Sequence, residues 1–209
     1  MPSDTLSDRP QLARRPYGGV SAEDRSAERR RRLLDAGLEL FGTKGIAATT
    51  IADVCGEAGL TKRYFYESFA TIEDLADAVF AEVTDRLVEQ VEPAIALGGG
   101  ADPRPALTVY LGAVLGDPRL ARLLGAESRT PALAKRQAAF GSRAVALWFA
   151  SAPGAQHPAL RLRAHAFAGA LAEVPLAWTE GELDLSVEEV IDQLVDVFDR
   201  MVTRKTRSS

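Results

Sequence analysis

Residues 49 to 69, TTIADVCGEAGLTKRYFYESF, constrain this chain most: two short helices held at a fixed crossing by a turn that needs glycine. Thr49 and Thr50 offer hydroxyls that cap a helix, and Asp53 stands where a capping box places its acid. Ile51, Val54 and Ala58 supply apolar positions three and four apart. Gly59 stops the helix, because a residue without a Cβ enters the left-handed conformation of a tight turn freely. Thr61 is a second N-cap, and Phe65 and Phe69, four apart, set the inward face of the helix that follows. Lys62, Arg63, Tyr64 and Tyr66 then point outward near its N-terminal half. A helix-turn-helix presents its second helix to the major groove of duplex DNA in this way, N-terminal residues nearest the bases. The same pattern also occurs in all-α domains with no nucleic-acid role, so the flanks decide.

Upstream, Leu34, Leu38 and Phe41 recur at helical spacing, with Gly42 and Gly45 expected to close that helix. Downstream, Thr71 with Asp74 opens a helix whose Leu75, Val79, Val83 and Leu87 form a buried stripe. Leu40-Phe41 and Gly45, Thr49-Thr50, Ala58-Gly59-Leu60-Thr61 and Phe65-Tyr66-Glu67-Ser68-Phe69 keep their spacing across about residues 28 to 85. On these residues the chain resembles the TetR family of transcription regulators. The resemblance implies an all-α fold, an N-terminal three-helix helix-turn-helix domain followed by a helical ligand-binding and dimerisation domain. It implies a cytoplasmic repressor that binds a palindromic operator in double-stranded DNA as a homodimer and is released by a small-molecule ligand. It also implies DNA contacts at Thr50, Thr61, Lys62, Arg63, Tyr64 and Tyr66. Two places depart from the family pattern. Thr71-Ile72-Glu73 stands where the family often carries a phosphate-gripping lysine, and Glu67 where it often has histidine or another neutral or basic residue. Glu67 either pairs with Arg63, four residues earlier, or accepts from a cytosine amino group.

The formal net charge of −4 argues at first against a nucleic-acid partner, but its distribution does not. Residues 1 to 70 hold eleven Lys or Arg against ten Asp or Glu, and the rest fourteen against nineteen. The acidity therefore lies in the C-terminal part, where it limits indiscriminate binding. Arg29 to Arg32 sit where a helix start would oppose cations; either a phosphate backbone offsets this, or their stems lie on apolar neighbours. Residues 1 to 24, rich in Pro, Ser, Asp, Gly and Arg, are expected to be disordered, a solubilising tail or an arm placing Arg9, Arg14 and Arg15 in a minor groove. The N-terminus lacks the apolar core of a signal peptide, and no run of about 20 apolar residues predicts a membrane span. The single cysteine, Cys55, reads as a small buried hydrophobe rather than a redox sensor.

Residues 25 to 71 are expected to form the DNA-binding domain, 72 to 204 the regulatory and dimerisation domain, and 205 to 209 a flexible tail. In the second domain the pattern predicts a helix from Ile72 to about Val91 ending before Pro93, then a loop, AIALGGGADPRP. A short helix over LTVYLGAVLG follows, and another from Asp117 through Leu124. Thr130-Pro131 marks a further N-terminus, with a break at Pro153-Gly154. A helix from about Pro158 to Glu180 contains Pro175 and is expected to kink there. Ser186 and Glu189 cap the last helix, whose apolar residues cover an arc of roughly 160°, wider than the stripe of about 100° one neighbour needs. That surplus and the small residues before it point to a second subunit, and the resemblance puts a homodimer seam on the last two long helices, with Ala168, Leu171, Val190, Leu194, Val197, Phe198 and Met201 in it. An apolar or amphipathic ligand would meet Tyr110, Phe140, Trp148, His165 and Phe167. A cavity of about 300 Å³ or more would favour such a ligand. A solid core would favour the alternative, a DNA-binding regulator whose C-terminal domain only dimerises or docks proteins. No nucleophile elbow, Walker loop, dinucleotide fingerprint or HExxH accompanies His157 and His165, so no enzyme, cofactor or metal is expected.

Overall fold

The computed structural model describes residues 21–98, 102–131, 133–149 and 157–203. Their regular elements are all helical: α1 Ala22–Thr43, α2 Ile51–Ala58, α3 Lys62–Tyr66, α4 Ile72–Leu97, α5 Arg104–Gly116, α6 Pro118–Leu124, a 3-10 turn Glu127–Arg129, α7 Ala134–Phe149, α8 Pro158–Thr179 and α9 Val187–Thr203. The expected minor-groove arm of Arg9, Arg14 and Arg15, the break at Pro153-Gly154 and the tail at 205–209 lie outside the described residues.

Capping boxes open three of the first four helices: Ser21 with Asp24, Thr50 with Asp53 and Thr71 with Asp74. The first moves the expected start of order, since residues 21 to 24 form a capped helix entry. It also places Arg29 to Arg32 beyond the first turn, which carries Glu23 and Asp24 and suits the helix dipole. The face α1 buries is Leu33, Ala36, Gly37 and Phe41, with Leu34 and Leu38 only half-buried beside it. Gly42 does not close α1. It lies inside the helix, and a Cβ there would come within 2.7 Å of the Arg119 Cα, so the close approach of α6 is what needs glycine.

Leu75, Val79, Val83 and Leu87 of α4 are buried as the spacing predicts, but the helix runs through Pro93 to Leu97. Pro93 sits on the exposed face, so the Glu89 carbonyl that loses its helical partner can turn to water, while Val91 and Ala94 continue the buried stripe. At the other expected proline start, Thr130-Pro131 forms a turn and regular helix begins at Ala134, although the Thr130 carbonyl already accepts from Ala134 N. The α8 helix likewise continues past Pro175, and Ser186 with Glu189 caps α9.

One contiguous core joins the two halves, from Leu33 and Phe41 through Leu75 and Phe80 to Leu107, Leu111 and Phe167. Phe198 packs against Trp148, Phe149 and Phe167 with ring centroids 5.3 to 6.3 Å apart.

Candidate nucleic-acid interface and adjoining cleft

The α2–α3 unit is held from below. Gly59 takes φ 61° and ψ 39°, the left-handed conformation the turn requires. Arg32 of α1 donates to the Ala58 carbonyl and, at 3.4 Å, to the Gly59 carbonyl, so it caps the end of α2 while its side chain stays exposed. Phe65 is fully buried and Phe69 nearly so. Asp53 accepts from Thr50 N at 2.9 Å and from Lys44 Nζ at 2.8 Å. The Lys44 bond first, then the Thr50 backbone and hydroxyl, lower its carboxyl to about 2. Burial pushes the Cys55 thiol up, as suits a small core residue more than a reactive one.

Each residue expected to face DNA has a definite place. Lys62 is exposed, and the Arg63 side chain keeps 86% of its surface in solvent. Tyr66 is 58% exposed, its ring edge-on to Phe65. Thr61 caps α3 by position only; its hydroxyl makes no capping bond. Thr50 is exposed, but its hydroxyl donates to Asp53 at 2.8 Å. Tyr64 is half-buried, because the Arg29 guanidinium lies 4.6 Å from its ring centroid.

Glu67 pairs with Arg63, as the four-residue spacing predicts, Nε to Oε1 at 3.3 Å, and also with Arg29 at 3.5 Å. Neither departure from the family pattern is a loose end: Glu67 ties α3 to α1, and Ile72 is half-buried against the core. Arg30 lies over Phe69, and Arg31 pairs with Glu28 and Asp35. Arg29, Arg30 and Arg32 thus support the α2–α3 unit, and Arg31 pairs within its own helix.

Sequence reasoning missed the contact between this unit and the second domain. Glu127, 8% exposed, accepts from Ile46 N at 3.0 Å across 81 positions. Arg122 stands 3.5 Å away, close enough for charge attraction though its Nε lacks a hydrogen bond. Arg119 grips Asp117 through two nitrogens and Glu39 of α1 through a third. Separations this long leave no local signal.

A cleft opens among α4, α5, α6, α7 and α8, lined in part by Leu87, Val91, Tyr110, Leu124, Phe140 and Trp148. Three of the five expected ligand residues, Tyr110, Phe140 and Trp148, meet there. Phe167 lies behind it in the aromatic cluster with Trp148, and His165 is exposed on α8. The expectation for His165 fails because the α8 face it occupies, with Leu162, Ala166 and Gly169, points outward. Tyr110 donates to the Leu171 carbonyl at 2.7 Å, and burial raises its phenol well above the ordinary value. The cleft holds about 40 Å³, room for a few waters and short of a drug-sized site.

The expected dimer residues divide similarly. Leu171, Val190, Leu194 and Phe198 are buried within the protomer, Ala168 lines the cleft, Met201 is half-buried, and Val197 is 38% exposed. Most of the wide apolar arc of α9 is thus taken up by its own core: Val190, Ile191, Leu194 and Phe198 are buried, and Val187, Val195, Met201 and Val202 are half-buried against it.

Residues 33–79 match the model of the tetR family of bacterial regulatory proteins. The chain is 30% identical over 95 residues to the HTH-type transcriptional regulator YerO of Bacillus subtilis (strain 168), a match spanning 44% of this chain and 32% of that relative. Its fold is similar to the fatty acid degradation regulator FadR from Bacillus halodurans, with TM-score 0.70, 15% identity and 86% and 97% of the two chains covered. It is also similar to the transcriptional regulator FadR from Bacillus subtilis in complex with stearoyl-CoA, with TM-score 0.66, 16% identity and 83% and 97% covered. With the helix-turn-helix geometry of α2 and α3 supported by α1 and α4, the match over residues 33–79 identifies a tetR-type DNA-binding domain, and the similar solved structures share the overall fold.

Proposed function

We propose that the protein is a repressor that reads a palindromic operator through α3, as a homodimer, and is released when a small molecule enters the α4–α8 cleft. The observation that carries it is the recognition surface: Lys62, Arg63 and Tyr66 project from a short helix whose other face is locked by Phe65 and Phe69. Arg63, steered by Glu67, is the base-reading residue, since a guanidinium meets two guanine acceptors at once. Lys62, Thr61 and Tyr66 meet phosphates and set register, while Tyr64, under Arg29, and Thr50, bonded to Asp53, shape the surface.

One recognition helix reads too few bases for operator-level affinity, so two copies are needed. Leu162, His165, Ala166 and Gly169 are exposed at i, i+3, i+4 and i+7 of α8, one continuous stripe. Added carbon at Gly169 would meet nothing within 4 Å inside the protomer, whereas a second helix approaching closely would need the small residue. This stripe, with Val197, is the seam.

Release follows from linkage: a ligand that prefers the DNA-incompetent form lowers operator affinity by its differential affinity. Leu124 of α6 lines the cleft one turn before Glu127, which holds Ile46 beside the α2 cap. A ligand that widens the cleft would shift α6 and carry that contact with it. The small volume of the cleft favours the alternative, a regulator without small-molecule input; the uncharged lining favours the ligand.

Binding of duplexes of varied sequence tests the assignment of α3. Arg63→Ala should cost about 1–3 kcal/mol and relax preference at one operator position. Tyr66→Phe should weaken every duplex alike. A uniform loss for Arg63→Ala would make it a phosphate contact, and unchanged affinity in both variants would overturn the role of α3.

A further inference from the structure

We propose that the α4–α8 cleft selects a neutral, largely apolar molecule carrying a hydrogen-bond donor, and excludes anions. The inference rests on the ligand-released reading and names the chemistry that reading leaves open. Among the described residues, none that lines the cleft is Lys, Arg, His, Asp or Glu. An anion placed there would lose its water and meet no counter-charge. The nearest arginines of α7 are engaged outside the cleft, Arg136 with Asp77 at 2.5 and 2.6 Å and Arg143 with Asp85 at 2.8 Å. The phosphates of a ligand such as the stearoyl-CoA bound by the similar FadR would find no cation among the described residues of this wall.

The polar part of the lining is equally specific. The Tyr110 hydroxyl is committed to the Leu171 carbonyl. Gln137 also lines the cleft, and its Oε1 is buried without any partner. A buried acceptor left unpaired is costly, so it is an unfilled place for a donor. Gly141, Ala144, Ala168 and Ala172 make much of the remaining wall small, and a carbon added at Gly141 would meet nothing within 4 Å. A ligand larger than the present space enters by parting α7 from α4, whose bridging ion pairs are exposed and weak.

Calorimetric titration of the full-length protein with 1-octanol, octanoate and 1-methoxyheptane tests this. Octanol should bind at least about tenfold more tightly than octanoate, which must desolvate its charge. It should also exceed the ether, which lacks the donor, by about three- to tenfold. Gln137→Leu should remove the difference between alcohol and ether. Gly141→Leu, with its helical circular dichroism unchanged, should lose octanol. Octanoate binding as well as octanol, a gap that survives Gln137→Leu, undiminished octanol binding by Gly141→Leu, or no octanol binding by the native protein would each overturn the proposal. Octanol binding that obeys these rules but leaves duplex affinity unchanged would support the ligand class and overturn the release mechanism instead.

Discussion

Glu127 shows how one side chain can join two functions. Its carboxylate accepts the buried Ile46 N–H, in the turn that leads to the Thr50 cap, and no other part of the second domain reaches so far into the DNA-binding unit by a hydrogen bond to the backbone among the described residues. Glu127→Ala leaves that donor buried and unpaired, at a cost of about 1–3 kcal/mol. We expect a lower unfolding midpoint and a weaker effect of any ligand on duplex binding; an unchanged midpoint would mean the contact is idle. Glu67 acts in the opposite sense, by orienting rather than anchoring. The Arg63 and Arg29 guanidiniums on either side offset its own negative charge, which would otherwise repel phosphates, and the pairing narrows the directions Arg63 samples. Asp53 has a further consequence for pH. Its folded-state pKa of about 2 lies below the ordinary carboxylate value, so its contribution is fully present above about pH 4. That contribution is lost only as pH falls toward 2, so the α2 cap does not respond to physiological acidity.

At the level of elements, α8 carries the clearest test. Leu162→Glu and Gly169→Leu both change exposed positions, so they should yield folded monomers by sedimentation, while dimers persisting at low micromolar concentration would put the seam elsewhere. Leu194→Glu and Phe198→Glu would instead bury a charge in the protomer core and unfold it, which is why they do not report on assembly. The same contrast explains what the sequence made legible. Caps and glycine turns act within four residues, so α2, α3 and the starts of α4 and α9 could be read from Thr50, Gly59, Thr71 and Ser186. The face α1 buries could not, because Leu33 and Leu34 are both apolar and packing against α4 and α6 chooses between them. Pro93 misled for a related reason: on an exposed face the carbonyl it leaves unpaired reaches water, which softens the local penalty, and only the folded helix reveals that face. Likewise Glu127 and Gln137 have no signature in their neighbours; their roles come from partners, or a missing partner, far along the chain.

At the scale of the whole molecule, one continuous core joins the helix-turn-helix, the contact between domains and an uncharged cleft. The acidic balance of the C-terminal part and the many internal partners of Arg29 to Arg32 leave few free cations for phosphates. Binding should therefore depend on base contacts and on symmetry more than on bulk charge. The central claim is that two copies place two α3 helices on a symmetric site. Selecting bound duplexes from a random pool with the full-length protein measures this directly. The expected outcome is an inverted repeat whose half-sites are centred about 10 base pairs, or a multiple of that, apart. No enrichment, or enrichment of a single half-site without its inverted mate, would contradict it.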